Sequence, residues 1–291
     1  MPVQYRKLGN TDLTISRVVF GGIVTMDETQ QDAGRYVAWA VERGVNYFDV
    51  APSYGNAEQK LGEALRPYRS KVYLACKTTE RSAEAAKKDL ENSLRTLHTD
   101  YFDNYQFHSL TTQQDLDAIF APGGAMETVQ WAKERGYIRN IGFSAHDEEV
   151  ALRALALFDF DTVLFPVNWA LGLGKHMGPR ICTQARKLGK GLLGMKTLAH
   201  RMWREGERGR FPKSWCKTVY DDERLALCAL KYTLSQGADA LVPPGNFEQF
   251  SFAADHIDEC VQSPLNSEEL AFLKEETEKI CGEFIFPNPN I

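Results

Sequence analysis

Four polar residues in the N-terminal part of the chain have types and positions that suit proton transfer. Asp49 lies inside a β-rich run that breaks at Pro52, and Tyr54 follows five residues after the acid. Lys77 and His108 each come directly after a later run of β-type residues. The four side chains are therefore candidates for one common site at the edge of a sheet.

Residues of these types can deliver a proton to a carbonyl oxygen while a hydride arrives at the carbon. A free tyrosine titrates near a pKa of ~10, which is too high for an efficient proton donor and acceptor at neutral pH. Lys77 would lower the pKa of Tyr54 by charge attraction, and Asp49 would keep Lys77 protonated and in place. His108 would donate a hydrogen bond to the substrate oxygen. These roles make Tyr54 the predicted general acid and base.

The elements that position these residues alternate regularly along the chain. Eight β-type runs are each followed by a helical pattern or a helix-like segment, and several runs are apolar at nearly every position, as in strands buried on both faces of a parallel sheet. The predicted strands are 17–23, 47–51, 72–76, 102–107, 139–143, 162–167, 192–195 and 240–242. Eight alternations favour a closed (β/α)8 TIM barrel of class α/β, a single domain over residues 1–291, whose active site lies at the C-terminal ends of the strands.

Segments at the two ends extend this barrel. The first residues alternate around the turn 10–12, which predicts an N-terminal β-hairpin. The amphipathic pattern 267–280 predicts a C-terminal helical extension, and 199–222 is the longest segment predicted to be irregular. The letters of 189–194 match G-x-G-x-x-G, but they lead from a helix into a strand, so we do not interpret them as a phosphate loop.

Composition narrows the function classes. The chain is 43% hydrophobic and 25% charged, and no apolar run approaches the length of a membrane span. A net charge of -5 disfavours nonspecific binding to nucleic acid or to an anionic membrane. Since no apolar segment follows Arg6 and Lys7, we expect a cytoplasmic protein. The six scattered cysteines are expected to be reduced and to serve packing.

The stretch 47–55, Tyr-Phe-Asp-Val-Ala-Pro-Ser-Tyr-Gly, followed by Glu58 and Leu61-Gly62, resembles the signature of the aldo-keto reductase family. Asp49, Tyr54, Lys77 and His108 match the catalytic tetrad of that family one by one. The resemblance implies a barrel that binds NADP(H), or NAD(H), in extended form across its mouth. It also implies a small carbonyl or alcohol substrate and a monomer or weak homo-oligomer.

The resemblance also assigns cofactor contacts, with departures from the usual pattern. Ser144 matches the serine that holds the nicotinamide amide, but Ala145 replaces the asparagine beside it. The usual glutamine of the next strand falls at Leu164, which leaves Asn168 as a substitute. The usual stacking tyrosine falls at Met195, whose polarisable sulfur can still pack against a flat ring.

Further cofactor contacts are implied near the last strands. The run Lys196-Thr197-Leu198 lies where the family's backbone passes the pyrophosphate, and Gly245 and Gln249 lie where the adenosine end is held. Lys and Arg are absent from 243–257, and Glu248 would repel a 2'-phosphate. A preference for NADPH therefore does not follow from this segment.

The long segment after the seventh predicted strand is rich in cations and aromatic residues. Its cations are Arg201, Arg204, Arg208, Arg210, Lys213 and Lys217. Arg201 and Arg204 are candidates to bind phosphate as the segment closes over a dinucleotide. Val24, Trp169 and Trp203 are the candidates for the substrate pocket.

Two other function classes compete with this interpretation. The altered residues at Ala145, Leu164 and Met195 would also suit a nicotinamide-binding regulatory or sensor protein with little turnover. A metal-dependent barrel hydrolase using Asp49, His108 and His146 is weaker, because the sequence lacks a compact ligand motif such as H-x-H.

Overall fold

The apolar runs form the strands of a parallel barrel. The structure, a computed structural model, describes residues 3–207, 211 and 213–286. Strands and helices are numbered in chain order. The strands are β1 (Tyr5–Lys7), β2 (Thr14–Ser16), β3 (Phe20–Gly21), β4 (Tyr47–Asp49), β5 (Tyr73–Thr78), β6 (Phe102–Leu110), β7 (Ile138–Ala145), β8 (Thr162–Pro166), β9 (Gly191–Met195), β10 (Ala199–Arg201), β11 (Lys217–Thr218) and β12 (Ala240–Val242).

Eight of these strands, β3 to β9 and β12, form one parallel sheet in the order of the sequence. The sheet closes between its two edges through a parallel bridge that joins Val18 to Leu241. The backbone N–H of Val19 donates to the carbonyl of Leu241 at 2.8 Å, and the N–H of Leu241 donates to the carbonyl of Arg17 at 2.8 Å. The predicted (β/α)8 barrel is confirmed.

Helices surround this barrel. They are α1 (Gln30–Glu42), α2 (Ala57–Leu65), α3 (Ala83–Thr96), α4 (Gln113–Phe120), α5 (Ala125–Glu134), α6 (Glu148–Leu157), α7 (Trp169–Gly174), α8 (Pro179–Lys187), α9 (Glu223–Ser235), α10 (Phe247–Gln262) and α11 (Ser267–Glu278). The sequence patterns did not predict α4 and α7. Local capping explains both, because Thr112 and Asp115 form a capping box at α4 and Asn168 caps α7.

The predicted N-terminal hairpin is present as β1 and β2, and it packs against one end of the barrel. Leu8, Leu13 and Ile15 are buried in one cluster with interior residues of the strands, including Tyr47 and Leu193. Because this end is packed with side chains, the opposite end of the barrel is the one that holds a site. The segment 189–194, at the start of β9, lies against the hairpin through Gly9 and Gly191.

Two segments beyond the strands differ in how well they were predicted. The segment 199–222, expected to be irregular, contains the antiparallel ribbon of β10 and β11. Its strands have only three and two residues, too few for a recognisable alternation. The predicted C-terminal extension is confirmed as α11, which is attached to α9 by an ion pair of 2.6 Å between Glu269 and Lys231. In the described part of the chain no helix is long and apolar enough to cross a membrane.

Candidate active site

The strand register brings the polar residues to the inner face of one barrel end. In the pairing of β4 with β5, Asp49 lies opposite Ala75, and in the pairing of β5 with β6, Lys77 lies opposite Gln106. Side chains two residues apart on a strand point to the same face, so Ala75 and Lys77 share one face, as do Gln106 and His108. Asp49 points into the barrel. The side chains that share its face, those of Lys77, Gln106 and His108, therefore also lie inside the barrel mouth.

Asp49 and Lys77 form a buried ion pair. Their side chains are 4% and 0% exposed, and Lys77 also donates to the carbonyl of Val50 at 3.3 Å. The second carboxylate oxygen of Asp49 accepts a hydrogen bond of 2.8 Å from Gln106. Burial opposes the charged form of Lys77, but Asp49 and Tyr54 outweigh it and raise the pKa of Lys77. The ammonium is therefore permanently charged at neutral pH.

Tyr54 is presented to this pair by a tight turn after β4. Its backbone N–H donates to the carbonyl of Ala51 at 3.0 Å, and Gly55 follows in the left-handed conformation with φ of 56°. A residue without a Cβ adopts this conformation without strain. The Lys77 ammonium lies 5.0 Å from the centroid of the Tyr54 ring. The predicted juxtaposition of Tyr54, Lys77 and Asp49 is thus present.

The net pKa of Tyr54 differs from the sequence-based prediction. Burial raises the pKa of Tyr54 above its ordinary value, and the charge and hydrogen bond of Lys77 lower it by less. The expected contribution of Lys77 is present, but desolvation outweighs it because the surrounding barrel end is closely packed. Tyr54 is consequently protonated at neutral pH, as a proton donor must be.

His108 lies beside Tyr54, with ring centroids 5.5 Å apart and planes at 84°. Its Nδ1 lies 3.2 Å from the Ser53 hydroxyl. Burial, then the charge of Lys77 and other nearby groups, lowers the pKa of His108 to about 3. The imidazole is therefore neutral at physiological pH. If Ser53 donates to Nδ1, the proton of the ring lies on Nε2, where it is available to a substrate oxygen.

A cavity of about 110 Å³ opens at this end of the barrel. Its walls combine catalytic candidates with residues predicted to contact a cofactor. They include Asp49, Tyr54, Leu164, Met195, Lys196 and Gly245. The ribbon side of the cavity is formed by 213–216 and by Thr218. Met195, the last residue of β9, and Gly245, which follows β12, therefore line the same cavity as Asp49 and Tyr54.

Ser144 and Ala145 are buried at the end of β7. The Ser144 hydroxyl accepts a hydrogen bond of 2.8 Å from the backbone N–H of Ser109. A contact between the Ser144 hydroxyl and a nicotinamide amide stays a prediction. Ala145 has no polar side-chain atom and leaves that contact without a second partner.

Asn168 and Gln249 use their amides inside the protein. Asn168 donates to the carbonyls of Lys196 and Ala199 at 2.9 and 2.7 Å, and its oxygen caps α7 at Leu171. The amide of Gln249 donates to Thr218 at 2.7 Å, and its oxygen accepts from Ser214 and Asn246 at 3.1 and 3.2 Å. Both residues hold the ribbon and its flanks, and neither lines the cavity. Their direct role in cofactor binding is therefore not supported by the geometry.

The remaining predicted contacts are mostly buried away from the cavity. Val24, Trp169, Thr197 and Leu198 are buried and absent from its wall, although the Thr197 hydroxyl has no hydrogen-bond partner in the described part of the chain. Trp203 donates its indole N–H to the Ser214 carbonyl at 3.0 Å and so holds the ribbon together.

The two arginines proposed to bind phosphate are occupied by carboxylates. Arg201 makes two hydrogen bonds to Glu207, at 2.6 and 2.8 Å, and Arg204 contacts both oxygens of Glu283 at 2.9 and 3.0 Å. These pairs compete with any phosphate, because each guanidinium already meets a carboxylate in a bidentate arrangement. Arg208 and Arg210 lie outside the described residues.

Sequence reasoning missed several residues that complete the site. Gln106 supports Asp49, Ser53 orients His108, and Trp215 lies against the Lys196 ammonium. The alternation of β6 places Gln106 on the same face as His108, and this was the signal that would have identified it. In the described part of the chain no group of three or more His, Cys, Asp or Glu residues is arranged to hold a metal.

Comparison with known proteins decides which family this geometry represents. A sequence profile described as the Aldo/keto reductase family matches residues 17–244. The chain belongs to the aldo/keto reductase family. It is therefore an oxidoreductase of a family that acts on carbonyl groups and generally uses nicotinamide cofactors.

Relatives of this aldo/keto reductase agree with the assignment. The uncharacterized oxidoreductase YqkF of Bacillus subtilis is 28% identical over 272 residues, which cover 82% of this chain and 86% of the relative. L-galactose dehydrogenase of Arabidopsis thaliana is 32% identical over 157 residues, 49% of this chain and 48% of the relative. The holo form of an aldo-keto reductase from Bacillus halodurans has a TM-score of 0.72 at 23% identity, covering 99% of this chain and 100% of its own. At that identity the structural likeness establishes the fold.

Proposed function

We propose that this protein reduces an aldehyde or ketone to an alcohol, or catalyses the reverse, by direct hydride transfer with a nicotinamide dinucleotide and with Tyr54 as general acid and base. The observation that carries the proposal is the arrangement around Tyr54. Its ring lies against both the permanently charged Lys77 and the neutral His108, at the wall of a cavity shared with Met195.

Each member of the tetrad has a distinct task in this mechanism. Tyr54 donates its phenolic proton to the carbonyl oxygen, and Lys77 stabilises the phenolate that remains. Asp49 holds Lys77, since a buried ammonium without a partner would lose its proton. His108 donates an N–H to the carbonyl oxygen as a neutral imidazole, because its pKa of about 3 excludes the imidazolium at physiological pH. When bound, the nicotinamide supplies the hydride.

The residues present fit a nicotinamide cofactor in part. Met195 and Leu164 offer an apolar wall for a flat ring, and Gly245 lets a ligand approach the backbone closely. The cavity of about 110 Å³ is smaller than the roughly 300–1,000 Å³ of ordinary ligand sites. A dinucleotide would therefore extend beyond this cavity. Ser144 would meet the nicotinamide amide without help from Ala145.

The region after β12 favours NAD(H) over NADP(H). The first turn of α10 carries the exposed Glu248, and 243–257 contains no Lys or Arg. Lys213, which faces this region, already donates to Glu28 at 2.6 Å. A 2'-phosphate would thus meet a carboxylate without a dedicated cation, which is unfavourable in a partly desolvated site.

The test begins with equilibrium binding. Intrinsic tryptophan fluorescence is titrated with NADH and with NADPH, and we expect binding of at least one, with the lower Kd for NADH. Single-turnover oxidation of the bound cofactor is then followed with a panel of aldehydes, ketones and sugars. The sugars are included because one relative is named L-galactose dehydrogenase.

Tyr54→Phe is the decisive variant. Loss of the proton donor should lower the rate of the chemical step about 100-fold or more without abolishing cofactor binding. Tyr137→Phe, at a tyrosine that is 39% exposed and outside the site, is the matched control. Equal rates for Tyr54→Phe and wild type would refute the assigned mechanism. Tight cofactor binding without turnover of any carbonyl would instead support the regulatory alternative.

A further inference from the structure

The wall of the catalytic cavity carries one lysine without a counter-ion. Its charged side chains are those of Asp49, Lys196 and Lys213. Asp49 is balanced by its ion pair with Lys77, and Lys213 is balanced by its ion pair with Glu28. In the described part of the chain no carboxylate lies within ion-pair distance of the Lys196 ammonium. The nearby Cys216 thiol is uncharged at neutral pH, because burial raises its pKa to about 11. Burial therefore lowers the pKa of Lys196, and an anionic ligand would stabilise its ammonium form by pairing with it.

The structure holds Lys196 in place. Its backbone has φ of 65°, a conformation that residues with a Cβ rarely adopt and that persists only where the surroundings impose it. The surroundings here are hydrogen bonds to its carbonyl from Asn168 at 2.9 Å and from the N–H of Ala199 at 3.0 Å. The ammonium lies 4.8 Å from the centroid of the Trp215 ring. The cation is therefore fixed at the wall and does not extend into solvent.

The ammonium lies on the side of the cavity where a substrate meets the tetrad. Lys196 lines the same cavity as Tyr54 and Asp49, and its charge is among those that lower the pKa of His108 and of His146. Trp215 packs on Phe286 with centroids 5.8 Å apart, and Phe286 packs on His146 with centroids 5.4 Å apart. This aromatic wall connects Lys196 with the side of the mouth that carries the hydrogen-bond donor for the carbonyl.

We propose that Lys196 binds a carboxylate or phosphate group of the substrate, so that the enzyme prefers anionic aldehydes or ketones to neutral ones. The inference rests on the proposed function, whose substrate class it specifies. The cofactor pyrophosphate is the other source of an anion at this position. If Lys196 binds that pyrophosphate, it contributes to cofactor binding and does not affect the preference between charged and neutral carbonyl compounds.

The test compares a charged aldehyde with its neutral counterpart. Succinic semialdehyde and its methyl ester have similar size and differ in one charge, and glyoxylate samples a shorter distance between carbonyl and carboxylate. We expect wild type to prefer the semialdehyde in kcat/KM. Lys196→Met should lower the ratio of the two kcat/KM values about 10-fold to 100-fold, the range for a hydrogen bond to a charged group. Lys196→Arg keeps the charge and should retain the preference.

Lys217→Met provides the control for a general change in charge. Lys217 lies on the neighbouring ribbon strand, with a 38% exposed side chain and its ammonium 3.7 Å from Glu207. Its removal should leave the ratio of the two kcat/KM values at the wild-type level. A ratio that Lys196→Met leaves unchanged, together with a raised Kd for NADH or NADPH, would overturn the inference and assign Lys196 to the cofactor.

A binding measurement separates this inference from the proposed function. Because the ammonium lies on the Trp215 indole, an anion bound at Lys196 should change the emission of Trp215. Butanoate, titrated into the cofactor-free protein, is expected to change the emission, butanamide is not, and Lys196→Met and Trp215→Phe should both abolish the response. If no carbonyl compound is turned over, the proposed function fails, yet this titration still decides the anion site. Absence of a response to butanoate in wild type would refute it.

Discussion

The buried pair of Asp49 and Lys77 predicts a strong energetic coupling between its two members. The perturbations are Lys77→Met, Asp49→Leu and the double variant. Removal of Lys77 leaves a carboxylate whose side chain is 4% exposed, with Gln106 as its remaining donor. Removal of Asp49 leaves an ammonium that is fully buried. Each single variant therefore strands one charge where water does not compensate it.

The expected loss follows from this burial. Removing one partner of a buried ion pair costs about 3–5 kcal/mol of unfolding free energy, because the remaining charge stays desolvated. The two single losses would add to about 6–10 kcal/mol if they were independent. The double variant removes both charges and leaves the Gln106 amide and the Val50 carbonyl without these partners, at a cost of about 1–3 kcal/mol. The coupling energy should thus be several kcal/mol.

The unfolding free energies of wild type and the three variants are measured by urea unfolding at pH 7. Far-UV circular dichroism and tryptophan fluorescence monitor the transition. Lys133→Met is the control, because its ammonium, 3.0 Å from Asp161, has a 44% exposed side chain and the pair should contribute about 1 kcal/mol or less. All three variants of the buried pair should lack turnover. Losses that add in the double variant, or a loss at Lys77→Met no larger than in the control, would refute the reasoning.

Three further predictions concern support of the site, pH and helix stability. Gln106→Leu removes one donor to Asp49 and should lower stability by about 1–3 kcal/mol, as measured by urea unfolding; a variant as stable as wild type would contradict the role of Gln106. Burial lowers the pKa of His146 to about 4, and the charge of Lys196 contributes. As the pH falls, His146 is therefore protonated at a higher pH in the unfolded state than in the folded state. Stability should therefore fall as pH decreases from the unfolded pKa of about 6.5 toward 4, by up to about 1.4 kcal/mol per pH unit for this group. Urea midpoints between pH 7 and 5 should fall less in His146→Gln, and equal slopes would exclude this contribution. Gly34→Ala, inside α1 with no atom within 4 Å of the added Cβ, should raise stability by about 0.5–1 kcal/mol; a lower thermal midpoint would show that the site is not open.

Local patterns were sufficient to predict the barrel and to select the four candidate residues that it brings together. Apolar runs separated by helical periods specify strands buried on both faces, and their number specifies closure. The position of Tyr54 at a glycine turn, and of Lys77 and His108 on the strands that follow, depends on the order of residues alone. Boundaries were less accurate at β6, which continues to Leu110, because its C-terminal residues are polar and carry no apolar pattern.

Partners far apart in the chain could not be predicted in this way. Arg201 and Arg204 have the right type for a phosphate, but the guanidinium of Arg204 meets Glu283 from the C-terminal segment, 79 residues away. The amide of Gln249 likewise turns to Ser214 and Thr218 of the ribbon, at separations of 35 and 31 residues. Which hydrogen-bond donor pairs with which acceptor depends on how the chain packs in three dimensions.

The sequence by itself was sufficient to predict the fold, the family and the candidate proton-transfer residues, because each prediction depends on periodicity or on a short motif. The tertiary structure alone decided their electrostatic state. Desolvation raises the pKa of Tyr54 despite Lys77, and it lowers the pKa of His108 to about 3. It also lowers the pKa of Lys196, which lines the cavity without a carboxylate partner among the described residues. The burial of a side chain and its charge partners depend on neighbours from many strands, so both are set only when the barrel is closed.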